Sequence, residues 1–174
     1  MILRNSGSYF LGFKFHNIFY FLSLFLFFVM NLESIAQGMN SKSEMYAFRL
    51  QPGEDLKVEI DKLVLKNGWK AVSIVTCVGS LNTANIRFAN QKDATTIAGK
   101  LEIVSLSGLA SHAGSHLHIA VSDSTGKTTG GHLMKGCQVY TTAEIVLAIL
   151  TDVVFEREPD KTYGYKELVI KPLK

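Results

Sequence analysis

Three of the five histidines in this 174-residue chain, His116, His118 and His132, fall within seventeen residues of one another. The segment Ser115-His116-Leu117-His118-Ile119-Ala120-Val121-Ser122-Asp123 alternates polar or small residues with aliphatic ones. In a strand, that parity sends His116 and His118 to one face and Leu117, Ile119 and Val121 to the other. Ser124-Thr125-Gly126-Lys127 reads as a turn, and Lys127 to Leu133 as the returning strand of a hairpin. Such a hairpin returns His132 to the His pair. Neutral imidazole is the commonest protein ligand for zinc and related ions, and three of them leave a position open for water or a ligand. Alternating histidines also line polar faces and subunit contacts, and a Gly130-Gly131 pair also serves turns and bulges. No carboxylate or cysteine ligand is obvious in the same segment, so the spacing is suggestive rather than diagnostic.

Two further groups are candidates for chemistry near this segment. Glu102 is a lone carboxylate in an apolar strand, suited to an acid/base or metal-bridging role, or to a paired or edge position. His112, in the Gly/Ala/Ser-rich stretch Leu109 to Gly114, is a candidate shuttle or fourth ligand if it is not simply an exposed loop residue. Ser105 and Ser107 lack Gly-x-Ser-x-Gly flanks, which argues against a serine hydrolase. Cys77 and Cys137 lie in apolar stretches without Cys-x-x-Cys spacing and read as buried thiols, although export would permit a disulfide.

The elements that must position these residues follow from pattern. Ile18 to Met30 is a thirteen-residue apolar run preceded by Arg4 and Lys14 and followed by Ser34-Ile35-Ala36-Gln37. Its length falls short of the roughly 20 residues a bilayer span needs. The small residues at Ser34 and Ala36 predict a secretory signal peptide over 1–36, cleaved before Gln37, with an uncleaved anchor as the competing reading. The expected location is therefore periplasmic or secreted. Residues 37–44 read as a flexible lead-in, and 45–173 as one domain. The pattern predicts a strand over Met45 to Leu50 and a helix from Leu56 to about Asn67-Gly68, with a solvated face of Lys57, Glu59, Asp61, Lys62 and Lys66. Trp69 is expected to close the core. Strands are predicted at Lys70 to Val78, Leu81 to Ala89 and Lys100 to Ser107, the last ended by Gly108. Asn90 to Gly99 reads as a polar connection, and Lys135 to Leu150 as two strand-like runs. Terminal strands are expected at Asp152 to Phe155 and Glu167 to Ile170, with Glu156 to Lys161 as a surface loop.

The net charge is +3, and residues 1–36 contribute only Arg4, Lys14 and Glu33, so the remainder stands at +2. No run of Lys and Arg and no Arg-Gly-Arg-Pro hook is present, which weighs against strong duplex DNA binding through many phosphate contacts.

The order Leu101-Glu102-Ile103-Val104-Ser105-Leu106-Ser107-Gly108, His116-Leu117-His118-Ile119-Ala120-Val121-Ser122-Asp123, Gly130-Gly131-His132-Leu133 and Val139-Tyr140-Thr141-Thr142-Ala143-Glu144 resembles the PPC (plants and prokaryotes conserved, DUF296) domain. Tyr163-Gly164-Tyr165-Lys166-Glu167-Leu168 fits as well, so the resemblance spans about Met45 to Leu173. It implies an α+β fold, a mostly antiparallel sheet packed against a helix, assembled as a homotrimer. It also implies a divalent-metal site, zinc among the candidates, at His116, His118 and His132, with Glu102 at the family position near it. Plant members bind AT-rich DNA through AT-hooks ahead of this domain and use the domain for assembly and partner contacts. This chain lacks the hook and carries an export signal, both at odds with a chromosomal role. Three functions stand as expectations: an exported trimeric metal- or small-ligand-binding module, a metal-dependent enzyme with Glu102 as acid/base, and a DNA-binding regulator.

Overall fold

The computed structural model describes residues 38–174. The expected signal peptide and its cleavage site lie outside them. Eight strands and one helix follow in the order β1 (Ser43–Leu50), α1 (Leu56–Lys66), β2 (Val72–Arg87), β3 (Thr95–Ser111), β4 (Gly114–Ser122), β5 (Thr128–Leu133), β6 (Gln138–Leu150), β7 (Val153–Pro159) and β8 (Lys166–Pro172). The first six strands form one antiparallel sheet in the order β1-β6-β2-β3-β4-β5, and β7 and β8 pair separately. This is the α+β architecture the sequence predicts.

Helix α1 forms where its caps and apolar spacing require. The Asp55 carboxylate accepts from the Val58 amide at 3.0 Å, satisfying one of the free N–H groups of the first turn. Leu56, Ile60 and Val64 recur every fourth residue and are fully buried. Each such side chain contributes about 1.5–3 kcal/mol by leaving water. Gly68, at φ +66°, ends the helix in the left-handed conformation that glycine tolerates best. The helix packs on one face of the sheet, over Leu81, Ile86, Leu117, Ile119, Leu133, Ile145 and Leu147. Trp69 packs at the edge of this core, its ring 5.1 Å from that of Tyr46.

The opposite face of the sheet carries His116 and His118, both exposed, while Leu117, Ile119 and Val121 of the same strand are buried. A register shift in β3 between Ile103 and Ser105 leaves Val104 exposed and returns Leu106 to the core. The extra residue resets the two-residue period, so a strand of seventeen residues stays amphipathic along its length.

Several boundaries differ from expectation. Strand β3 runs on to Ser111, and Leu109 to Ser111 belong to it rather than to a loop. Gly108 does not stop the strand but permits a close approach: a Cβ there would sit 2.1 Å from the His116 carbonyl oxygen. Residues 138–150 form one strand, because the polar centre at Thr141 and Thr142 faces outward or half outward while Val139 and Ala143 stay buried. Glu156 to Pro159 continue β7. Residues 41–42 are not loose, since the Lys42 amide donates to Asp152 Oδ2 at 2.7 Å and Ser41 Oγ accepts from the Asp152 amide. Lys57 is not a freely solvated cation: its ammonium holds Asp61 Oδ2 at 2.8 Å and Ser115 Oγ at 2.7 Å, tying α1 to the start of β4. Cys77 and Cys137 are free and buried, and burial pushes their thiols up to about 12 and about 11. Such thiols are poor nucleophiles at neutral pH. Among the described residues, no helix is long and apolar enough to cross a membrane.

Candidate metal centre

Strands β4 and β5 meet in the predicted hairpin, with His118 directly opposite His132. Its turn is held by Asp123, whose carboxylate accepts from the Thr125 amide at 2.8 Å and the Lys127 amide at 3.1 Å. These bonds, with the Thr125 hydroxyl, hold the Asp123 carboxyl below its usual range. The far end of β5 also reaches β2, pairing Leu133 with Ile86 and His132 with Arg87. Gly131 makes that second pairing possible. A Cβ at Gly131 would fall 2.7 Å from the Arg87 carbonyl oxygen and 2.9 Å from Ile86 Cγ2.

The three imidazoles converge on the outer face of the sheet. His118 Nε2 lies 3.1 Å from His132 Nδ1, a distance at which one ring N–H donates to the other nitrogen. The His116 and His132 rings stack at 5.1 Å and 17°, while His118 stands edge-on to both at 5.0 and 4.5 Å. One ligand nitrogen from each ring lies within 4.8 Å of the other two. Two nitrogens on a tetrahedral zinc are about 3.3 Å apart, given Zn–N bonds of about 2.0–2.1 Å. The His118–His132 pair already stands near that separation, and a His116 nitrogen lies within 4.8 Å of both. Burial pushes the His116 pKa down, with His118 and Arg157 adding to the effect; burial and Arg87 do the same for His132. Both imidazoles therefore favour the neutral, ligating form at pH 7. The donor set fits a borderline-soft divalent ion with at least one open position.

The other expected residues are not brought to this point. Glu102 sits on β3 opposite Ser122, four residues along β4 from His118. That offset is about 13 Å at a strand rise of roughly 3.3 Å per residue. Glu102 shares the outward face of the histidines but stands apart from them within one chain. His112 occupies the β3–β4 turn, and its Nε2 lies 3.5 Å from Glu156 Oε1. It is partnered there rather than with the triad. Three residues passed over as site candidates do border the triad. Arg87, Arg157 and Glu167 line clefts shared with the histidines. Arg87 was visible only as a charge in a strand, and Arg157 lay in a charged run read as a loop.

Residues 37–151 match the Plants and Prokaryotes Conserved (PCC) domain. The chain belongs to that family. Within it, the chain is 45% identical over 130 residues to the bifunctional protein GlmU of a Synechococcus strain (JA-2-3B'a(2-13)), covering 75% of this chain and 21% of that protein. The chain thus spans about a fifth of the length of the curated relative it matches. Among solved structures, a hypothetical protein from Salmonella shares the PCC fold with a TM-score of 0.76 and 39% identity, covering 78% of this chain and 99% of the other. The metal-containing protein AF0104 from Archaeoglobus fulgidus aligns with a TM-score of 0.66 and 25% identity over 76% of this chain and 99% of its own. Two more distant structures, at 21% and 20% identity, are named as candidate DNA-binding proteins; that likeness carries the fold alone.

Proposed function

We propose that the protein is a divalent-metal-binding module, with zinc the foremost ion, held by His116, His118 and His132 and open at a remaining position to a small ligand. The observation that carries this is the convergence of three ring nitrogens within 4.8 Å on the sheet face opposite α1. The likeness to a metal-containing protein of known structure supports it. Elemental analysis of the purified protein tests it: about one ion per chain is expected after zinc reconstitution and removal of excess. Protein that stays metal-free under those conditions returns the histidines to a structural role.

Assembly as a homotrimer is part of the proposal. The sheet face opposite α1 exposes Val75, Val78, Val104 and Tyr140, the three valines each about half exposed. Apolar side chains of this size on one face are what a subunit contact would bury. Light scattering is expected to return about three times the 19.2 kDa chain mass, less the removed leader. Replacement of Val104 by Asp is expected to lower that mass, and a monodisperse monomer before substitution would refute the trimer.

Export completes the proposal. The apolar run before Ser34-Ile35-Ala36 supports cleavage to leave Gln37 first. Intact mass of the native protein is the check, and a species retaining residues 1–36 in the cytoplasm counts against it. A metal-dependent enzyme and a DNA-associated regulator remain the alternatives. In the first, Glu102 stands about four residues along β4 from His118 within one chain, and the second rests on the naming of distant structural neighbours. Retention of duplex DNA at low salt, lost at high salt, would favour the second.

A further inference from the structure

We infer that the cleft beside the triad binds a small oxyanion, a carboxylate or phosphate carried on a metabolite-sized molecule, with Arg87 and Arg157 as its anchoring side chains. This deepens the metal-site proposal and rests on it, because the same oxyanion would reach the open position of the ion.

The placement comes from the fold. Arg87 ends β2 and is set opposite His132 by the two-residue pairing of β2 with β5. Arg157 comes from the separate β7–β8 hairpin, which packs against the main sheet through Val153, Phe155, Leu168 and Leu109. Two elements far apart in sequence thus deliver a guanidinium each to the edges of one imidazole cluster. The cleft they share holds about 890 Å³, within the usual range for small-molecule sites. Its charged lining is Lys57, Arg87, Lys92, Arg157, Lys166 and Glu167. Five cations face one carboxylate in a protein whose overall charge is only +3.

The partners of these cations narrow the choice. Lys57 is engaged by Asp61 and Ser115. The Arg87 side chain donates to the Gln91 carbonyl oxygen at 3.2 Å and has no ion pair among the described residues. Arg157 is half-buried and has no ion pair or side-chain hydrogen bond among the described residues. Arginine in such a position is costly unless an anion satisfies it, and its planar fork matches carboxylate and phosphate oxygens two at a time. A dication on the triad would add to the positive potential focused in the cleft. A cleft of this size suits a small molecule, whereas the phosphates of a duplex need an extended cationic surface.

The test uses the full chain loaded with zinc and titrated calorimetrically with inorganic phosphate and, separately, malonate. One site per chain is expected for at least one probe, and the preferred probe separates phosphate from carboxylate. Arg157→Gln and Arg87→Gln are each expected to weaken binding at least about tenfold while the zinc content stays at one per chain. Zinc-loaded protein that binds neither probe, or variants that bind as well as the parent, would overturn the inference. So would displacement of phosphate by a short DNA duplex at equal phosphate concentration. Protein that takes up no zinc yet binds phosphate through Arg157 would sink the metal proposal and leave the arginine cleft standing.

Discussion

His118→Ala is expected to weaken zinc binding by at least about 100-fold, because even outer partners of metal ligands are worth 10–100-fold and His118 is a proposed ligand itself. It stands edge-on beside two stacked rings, its Nε2 3.1 Å from His132 Nδ1. Its removal leaves two parallel imidazoles, a set that cannot close a tetrahedron without recruiting water. The side chain is exposed, so the metal-free fold is expected to change by no more than about 0.5 kcal/mol. Competition against a chromogenic chelator reads the affinity, and denaturant melts of the apo forms read the fold. An unchanged zinc affinity in the variant would remove His118 from the site.

Acid is expected to release the ion in a defined window. His116 and His132 hold pKa values below the ordinary 6.5, through burial first. Protons therefore compete weakly at pH 7, and zinc is expected to be retained down to about pH 6.5 and lost below it as the imidazoles charge. The metal-free protein follows the same sign. A depressed folded-state pKa means that the unfolded chain binds the proton first, so stability is fully present above about 6.5 and declines as pH falls through the lowered values. Loss of zinc on raising the pH from 6 to 7.5 would contradict both statements.

Gly108→Ala is the second large effect, expected to cost about 3 kcal/mol and to lower the melting temperature by roughly 10 °C. Two causes combine. At φ +131° a side chain is strained whatever the space around it, and the added Cβ would overlap the His116 carbonyl oxygen at 2.1 Å and Leu117 Cα at 2.9 Å. Those atoms are backbone in the neighbouring strand and cannot swing aside. Gly126 separates the two causes, since it too has positive φ, +83°, but its Cβ would meet nothing within 4 Å. Gly126→Ala is expected to cost only about 1 kcal/mol, the conformational part. If the two variants melt alike, the close approach of β3 to β4 is not what glycine serves at 108. The same substitution is expected to weaken zinc binding, because it displaces the strand that carries His116 and His118.

What the sequence disclosed about this site was local. The parity of Leu117, Ile119 and Val121 against His116 and His118 is a property of nine consecutive residues, and the turn at Ser124 to Lys127 is a property of the next four. Both were legible because a hairpin depends on neighbours. The arginines were not, because Arg87 reaches His132 through a pairing of β2 with β5 that no local pattern encodes, and Arg157 arrives on a hairpin from a second sheet. Glu102 was set near the site by the resemblance alone, and the register puts it opposite Ser122, four residues along β4 from His118. Alternation fixes which side of a sheet a residue occupies and says nothing about how far along the neighbouring strand it lands. Gly108 misled for a related reason: the same glycine that ends one strand elsewhere lets another pass close to its partner. The family resemblance supplied the α+β architecture as a whole, while strand ends were set by contacts such as Ser41 and Lys42 with Asp152 that lie more than a hundred residues apart.

All three histidines sit on a single hairpin of twenty residues, Gly114 to Leu133. In a denatured chain these rings stay near one another, because closing so short a loop costs little entropy. Zinc is therefore expected to bind the unfolded polypeptide as well, more weakly, and the stabilisation it confers on heating should fall short of what its native affinity alone would give by mass action. A newly synthesised chain would in that case capture its ion before the sheet closes, with β2 and the β7–β8 hairpin folding afterwards around a hairpin that is already loaded.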